Sequence, residues 1–144
     1  MVNRINIICL GVKDIDASLE FYTKLGFKTT YQKGAPIVFF SNAGTKLELF
    51  PIENLILDIN ESNPPMISKG GFNGITLACN MKSIKEVDDL MMLVTQFGGL
   101  VVKHPQATNW GGYSGYFKDL DGYYWEVAYG PMWQFDDNDM LIIE

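Results

Sequence analysis

The chain has 144 residues, enough for one domain or for two small repeated units that share a core. Its composition is 47% hydrophobic and 19% charged, which is typical of a globular protein. A net charge of −6 without a basic cluster argues against a nucleic-acid partner, because phosphates require a positive protein surface. No run of eighteen apolar residues predicts a membrane span and no signal peptide is evident, so we expect no membrane partner and a cytoplasmic location.

The cysteine and histidine content limits the metal sites that one chain can build. Cys9 and Cys79 lie in separate strand-like runs without a Cys-x-x-Cys or Cys/His cluster, so we interpret both as buried reduced thiols. His104 is the single histidine. A site that needs two imidazoles from the same chain is therefore excluded.

The first half of the chain predicts a strand, a helix and three further strands. Residues 5–12 are rich in aliphatic and β-branched side chains and predict the first strand. Asp14 or Asp16 can cap a helix that ends at Gly26. Further strands, the last two joined as a hairpin, are predicted at residues 27–30, 37–40 and 46–50.

The second half repeats this order. Residues 75–79 predict a strand, and Ser83 with Glu86 forms a capping box at the start of a helix that two glycines end. Three more strands are predicted at residues 100–103, 115–117 and 123–128. Each half thus has the order β-α-β-β-β, and this internal repeat sets the fold.

The repeat predicts the organisation of the chain as one domain, residues 1–144, built from two modules. The modules span residues 1–55 and 70–131, and a linker rich in proline, glycine and polar residues spans residues 56–69. The acidic and then apolar tail, residues 132–144, is expected to pack on the outside or on a partner. The predicted fold class is α+β, with two tandem βαβββ modules whose curved mixed sheets surround a cleft.

A glutamate recurs at the same point of the two halves. Glu48 and Glu126 each follow the glycine of a turn by four residues, and each lies in an otherwise apolar strand. A carboxylate in a buried strand is costly unless it is paired, hydrogen-bonded or functional. In the structural alternative, the two reach solvent or pair with Lys46 or Lys118. In the functional alternative, which we favour, the two carboxylates lie close together in a cleft, where mutual repulsion and desolvation raise the pKa of one of them. Such a carboxylate can act as a general base or hold a cationic or hydroxyl-bearing ligand.

Alternation along the strands predicts the residues that share a face with these carboxylates. First-strand residues of both modules line the candidate cleft, and the glycine-rich segment 110–117 brings aromatic rings to its mouth. Those rings either belong to the core or stack on a planar or apolar ligand. The predicted ligand-binding residues are Ile7, Cys9, Phe50, Gly74, Thr76, Trp110, Tyr113, Tyr116 and Tyr124, and the candidate catalytic residues are Glu48 and Glu126.

Several of these motifs together resemble one known family. They are Val12-Lys13-Asp14, Phe21-Tyr22 and Leu25-Gly26-Phe27 in the first half, and residues 110–117, 119–122 and 125–127 in the second. The chain is similar over nearly its whole length to the vicinal oxygen chelate superfamily, which comprises glyoxalases, bleomycin resistance proteins and extradiol dioxygenases. Leu120 replaces the proline of the family's usual Asp-Pro-Asp-Gly turn. The resemblance implies a glyoxalase-like domain that pairs as a homodimer.

The resemblance also implies where a divalent metal would bind. Metal-dependent members place a His or Glu on the first strand of each module and a Glu near the end of its last strand. The Glu positions match Glu48 and Glu126, but the first-strand positions fall on Ile7 and Gly74, which cannot ligate through a side chain. We therefore expect that the ordinary site has lapsed, and we assign no particular cofactor while leaving a divalent metal open. Two carboxylates could still hold a hard ion such as Mg²⁺ with several waters.

Three functions are consistent with these residues. The first is a binding protein of the bleomycin-resistance type, which holds a small aromatic or amphipathic ligand in an acidic aromatic cleft within one chain or between subunits. The alternative is a metal-dependent lyase, isomerase or dioxygenase-like enzyme of the glyoxalase type, with Glu126 as base or ligand and Glu48 as its partner. The third is a scaffold or dimerisation module, which the small residues of the cleft disfavour.

Overall fold

The computed structural model of the chain describes residues 1–143, which form two compact units. Unit 1 is Met1–Gly71, and unit 2 comprises the described residues from Phe72 onward. Seven strands in two sheets and three helices within the described residues confirm the α+β class. No helix in this part of the chain combines the length and the apolar character needed to cross a membrane.

Unit 1 has a three-stranded sheet with the strand order β1-β3-β2. Strand β3 is central, parallel to β1 and antiparallel to β2. The elements of unit 1, in chain order, are β1 (Ile7–Val12), α1 (Ile15–Leu25), β2 (Val38–Phe39), β3 (Lys46–Pro51) and α2 (Ile52–Ile59).

Helix α1 begins and ends where the sequence predicts. The Asp14 side chain accepts a hydrogen bond from the Ala17 amide at 3.0 Å and caps the first turn. Gly26 ends the helix in the left-handed region, with φ 114°. Between these ends, Phe21 and Tyr22 are almost fully buried. Burial of an aromatic or aliphatic side chain of this kind stabilises the fold by about 1.5–3 kcal/mol.

Unit 1 differs from the sequence prediction in two places. Residues 27–30 do not form the predicted strand, because isolated hydrogen bonds, and not a regular ladder, hold them to residues 39–41. The Ser41 amide donates to the Lys28 carbonyl at 2.8 Å, and the Thr29 hydroxyl donates to the Phe39 carbonyl at 2.6 Å. Helix α2 also extends into the segment predicted as a linker, since its apolar residues recur at helical spacing after Pro51.

Unit 2 has the β-α-β-β-β order predicted for the second half. Its four-stranded sheet has the strand order β4-β7-β6-β5, in which β4 and β7 are parallel and the other pairs are antiparallel. The elements are β4 (Thr76–Met81), α3 (Ile84–Gln96), β5 (Leu100–Ala107), β6 (Tyr113–Lys118) and β7 (Tyr124–Tyr129).

Helix α3 covers one face of the unit 2 sheet and so decides which face is left for a site. Phe117 and Trp125 stack in that core with ring centroids 6.0 Å apart, and Val87 and Val94 of the helix are fully buried. Ile75, the first residue of the strand predicted at residues 75–79, instead precedes β4 and is 64% exposed. It follows Gly74, whose φ of 87° turns the chain before the strand begins.

Loss of the α3 cap tests this account of unit 2. The Ser83 hydroxyl accepts from the Glu86 amide at 3.1 Å, and the Glu86 carboxylate accepts from the Lys82 amide at 2.7 Å. We expect Ser83→Ala to lower the free energy of unfolding by about 1 kcal/mol in urea denaturation. Ser68→Ala, at an exposed loop position, is the matched control and should leave it unchanged. Equal stability of the two variants would contradict the capping role.

Candidate functional site

Glu126 lies in the middle of the unit 2 sheet, on the face opposite α3. It is paired in register with Ala78 of β4 on one side and with Tyr116 of β6 on the other. Ala78 is exposed, and Glu126 and Tyr116 are half-buried. Partial burial raises the pKa of Tyr116, and the charge of Glu126 and a hydrogen bond to it raise that pKa further. The phenol therefore keeps its proton beside the carboxylate.

One more row of side chains extends this surface toward the start of β7. Tyr124 pairs with Thr76 and with Lys118. The edge of Phe72 meets the Tyr124 ring at 5.2 Å between centroids, and the Lys118 Nζ lies 5.0 Å from the centroid of that ring. We call the surface formed by these two rows the Glu126 face; its residues are Thr76, Ala78, Tyr116, Lys118, Tyr124 and Glu126.

Tyr113, although predicted as a ligand-binding residue, lies on the other side of the sheet. Its hydroxyl donates to Asp88 of α3 at 2.7 Å, and this bond is the main reason that the pKa of Tyr113 is raised. A cavity of about 590 Å³ opens on that side between α3 and β5, lined in part by Asp88, Met91 and His104. This cavity is separated from Glu126 by the sheet, so Tyr113 and Glu126 do not line one pocket within unit 2.

Glu48 has a matching position in unit 1. It is paired in register with Cys9 of β1 and with Phe39 of β2. Each glutamate therefore lies on a central strand, between a small residue of the first strand and an aromatic residue on its other side. Burial raises the pKa of Cys9 to about 12, with further contributions from Glu48 and then Asp58. The Cys9 thiol is thus protonated at neutral pH.

Helix α2 covers one end of the sheet face that carries Glu48. Gly11 lies two residues beyond Cys9 on β1 and pairs with Phe50. A Cβ atom at Gly11 would lie 3.0 Å from Ile52 Cγ1 and 3.2 Å from Leu55 Cδ2. A glycine at this position therefore lets α2 pack directly against the strand.

The two first-strand positions that the resemblance assigns to metal ligands differ in placement. Ile7 is the first residue of β1, is 45% exposed and pairs with Lys46. Gly74 lies outside the sheet, two residues before β4 begins. Within either unit, no group of three or more His, Cys, Asp and Glu side chains among residues 1–143 is placed to hold a metal ion.

The structure adds residues that the sequence prediction missed. Phe39 lies beside Glu48. It was not predicted as a site residue, although alternation along the strand predicted at residues 37–40 was a signal that could have identified it. Trp110 was predicted, but its partner was not: the ring of Trp133 stacks on it with centroids 5.4 Å apart and planes inclined by 25°. No local pattern connects two residues separated by β6 and β7, so only the folded chain reveals this pair.

The comparisons with known proteins agree with this architecture. The family model of the Glyoxalase/Bleomycin resistance protein/Dioxygenase superfamily matches residues 4–127, and the chain belongs to that superfamily. A search of curated proteins found no match.

Solved structures give the same fold. A glyoxalase-related enzyme from Fulvimarina pelagi is 28% identical, with a TM-score of 0.87 and 99% of each chain covered. A glyoxalase/bleomycin resistance protein/dioxygenase from Nocardioides is 25% identical, with a TM-score of 0.70, 92% of this chain and 87% of that one covered. A lactoylglutathione lyase from Agrobacterium tumefaciens is 23% identical, with a TM-score of 0.66, 94% of this chain and 100% of that one covered; at this identity it shows the fold alone.

The pairing of Cys9 with Glu48 predicts the reactivity of the thiol. We expect Glu48→Gln to lower the pKa of Cys9 and to speed its alkylation by iodoacetamide at pH 8 by roughly threefold to tenfold, since the thiolate is the nucleophile. The effect is limited because burial, the largest cause of the raised Cys9 pKa, is unchanged in the Glu48→Gln variant. Peptide mapping by mass spectrometry would follow Cys9, with Cys79 as the internal reference. Glu53→Gln, an exposed change on α2, is the control, and equal rates in both variants would contradict the assignment.

The neighbouring Tyr116 predicts a second titration effect. We expect Glu126→Gln to lower the pKa of Tyr116, because the negative charge that disfavours the phenolate is removed and the charged acceptor becomes a neutral amide. NMR of tyrosines labelled at Cζ would measure it. Because the folded-state pKa is raised, the stability from this pair is full below about pH 10 and is lost as the pH rises through the Tyr116 pKa. Tyr113, which keeps Asp88, should titrate as before, and an unchanged Tyr116 would be the contrary result.

Proposed function

We propose that the chain binds a small organic ligand on the Glu126 face, and that the ligand carries an aromatic ring and a hydrogen-bond donor. The observation that carries this proposal is the position of Glu126 between the exposed Ala78 and the half-buried Tyr116. A half-buried carboxylate at the centre of a sheet face is an acceptor for a hydroxyl, an amide or an ammonium group. Superfamily membership also supports the proposal, since the family model matches 124 of the 144 residues, 4 to 127 inclusive.

The neighbours of Glu126 favour a ligand with an apolar body. Ala78 and Thr76 are small and exposed, so they leave space above β4. Tyr116 and Tyr124 offer ring edges and faces on the adjacent strands. A hydrogen bond to a charged acceptor contributes about 1.5–3 kcal/mol, and removal of the charge should therefore weaken binding by at least about tenfold.

We propose further that the metal site typical of metal-dependent superfamily members has lapsed in this chain. The donor set supports this: each unit supplies one of the two glutamates, and Ile7 and Gly74 stand where the resemblance places the other ligands. Cys9 pairs in register with Glu48, but these two side chains alone fall short of the three or four protein ligands of an ordinary site. These residues do not fit a tetrahedral or octahedral site built from three or four protein ligands, so no chemical step is assigned to a metal.

The alternative function is a metal-dependent lyase, isomerase or dioxygenase-type enzyme that uses Glu48 and Glu126. The pairing of Glu126 with a protonated Tyr116 favours it, since a carboxylate beside a phenol can accept a substrate proton.

The homodimer that the resemblance implies is also a proposal, which sedimentation of the full chain would test.

Metal analysis separates the two functions. We expect the untagged protein to contain no stoichiometric metal and to give no saturable heat with Mg²⁺, Mn²⁺, Ni²⁺ or Zn²⁺ in calorimetric titration. Wild type is compared with Glu126→Gln and with Asp137→Asn, an exposed acidic residue of the tail that serves as a matched control. Stoichiometric metal that Glu126→Gln alone abolishes would overturn the lapsed-site proposal and favour the enzyme.

A further inference from the structure

An indole pair lies at one end of the unit 2 sheet. The rings of Trp110 and Trp133 stack with centroids 5.4 Å apart, while Trp125, the remaining tryptophan, is buried in the core. Trp110 is 43% exposed, so part of the pair is open to solvent. A large apolar ring held rigid and partly exposed is a common ligand contact.

Two glycines place this pair on the same side of the sheet as Glu126. Gly112 directly precedes β6 and Gly130 directly follows β7, and the adjacent Tyr113 and Tyr129 are register partners. By strand alternation, Cβ atoms at both glycines would point to the side of Glu126. A Cβ at Gly112 would lie 2.0 Å from Trp110 Cζ3, and one at Gly130 would lie 2.9 Å from Trp133 Cδ2.

Both glycines are buried, and the indoles occupy the space that side chains would fill. The glycine row is four residues from Glu126 along β7, or about 13 Å. A ligand of at least bicyclic size is therefore needed to contact both the carboxylate and the indole pair.

Trp133 belongs to the C-terminal tail, which lies beyond the segment matched by the family model. Residues 135–141 of the tail are folded within unit 2: Phe135 forms a bridge with Leu141, and Asp136 Oδ1 accepts from the Asn138 amide at 2.8 Å and the Met140 amide at 3.0 Å. Asp139 pairs with Lys82, which lies between β4 and α3. These contacts give the tail a defined path.

The tail has a counterpart in unit 1. Helix α2 directly follows β3, the strand of Glu48, and packs over Gly11 on the Glu48 side of its sheet. The tail follows β7, the strand of Glu126, after Gly130 and Pro131, and its Trp133 packs over Gly130. In both units the chain that follows the glutamate strand folds back over the end of the glutamate face.

We infer that the tail is part of the binding site, and that Trp133 stacked on Trp110 forms an aromatic subsite for a planar ring of the ligand. This inference rests on the proposed function. The tail then selects planar ligands over puckered ones, because a flat ring alone can extend the indole stack. Loss of one indole should weaken the binding of a planar ligand by about threefold to tenfold, beyond the effect of the apolar contact area that is lost.

The test compares 2-naphthol with decahydro-2-naphthol, which share a carbon skeleton and a hydroxyl but differ in planarity. Binding to the full chain is measured by NMR titration for wild type, Trp133→Leu, Glu126→Gln and the control Gln134→Ala, an exposed neighbour in the tail. The far-UV circular dichroism of the free proteins is recorded as well, since two stacked indoles give an exciton couplet. Gly130→Ala, which keeps both indoles but displaces Trp133, covers the case in which Trp133→Leu does not fold.

We expect wild type to prefer 2-naphthol, and Trp133→Leu and Gly130→Ala to lose the couplet and that preference. Gln134→Ala should retain both, and Glu126→Gln should weaken both alcohols. If 2-naphthol binds equally to wild type and Trp133→Leu while Glu126→Gln weakens it, the tail inference is wrong and the proposed function stands. Failure of wild type to bind either alcohol would contradict both.

Discussion

A carboxylate at the centre of a β-sheet must be hydrogen-bonded, solvated or neutralised, and this requirement shapes both units of the protein. Glu48 and Glu126 each lie on the central part of a sheet face with a small residue on one neighbouring strand. The small neighbour leaves room for water or a ligand. The cost of desolvating a charge is thereby avoided without an ion pair to either glutamate in the described residues.

The two units meet this requirement differently. In unit 1 the Cys9 thiol lies beside Glu48, and the pKa of about 12 means that the thiol remains a neutral neighbour of the charge. In unit 2 the neighbour is the phenol of Tyr116, and Ala78 leaves the first strand uncovered beside Glu126. Repetition of one structural plan has thus produced one carboxylate next to a thiol and another next to a phenol.

Much of this architecture follows from local sequence signals. Asp14, Ser83 and Gly26 mark the helix ends because capping depends on neighbouring backbone groups. Strand alternation places Glu126 with Thr76 and Tyr116, since the side-chain period is fixed by the pleat. Local signals fail where a segment is stabilised by distant contacts.

The misses illustrate this limit. Residues 27–30 carry strand-like composition, but the bonds they make to residues 39–41 are too irregular for a ladder. Tyr113 was expected at the mouth of the cleft with Glu126, whereas its hydroxyl donates to Asp88, twenty-five residues away, on the α3 side of the sheet. Trp133 contacts Trp110 only because two glycines flank paired strand ends, a relation that requires the register of β6 and β7.

The most direct test of the central claim is to screen aromatic fragments that carry a hydroxyl or amine by NMR on isotope-labelled protein without added metal. The account predicts shifts concentrated at Tyr116, Glu126 and their row partners, with the indole N–H signals of Trp110 and Trp133 following for bicyclic fragments. Shifts confined to the cavity between α3 and β5, or shifts that arise only when a divalent metal is added, would contradict it.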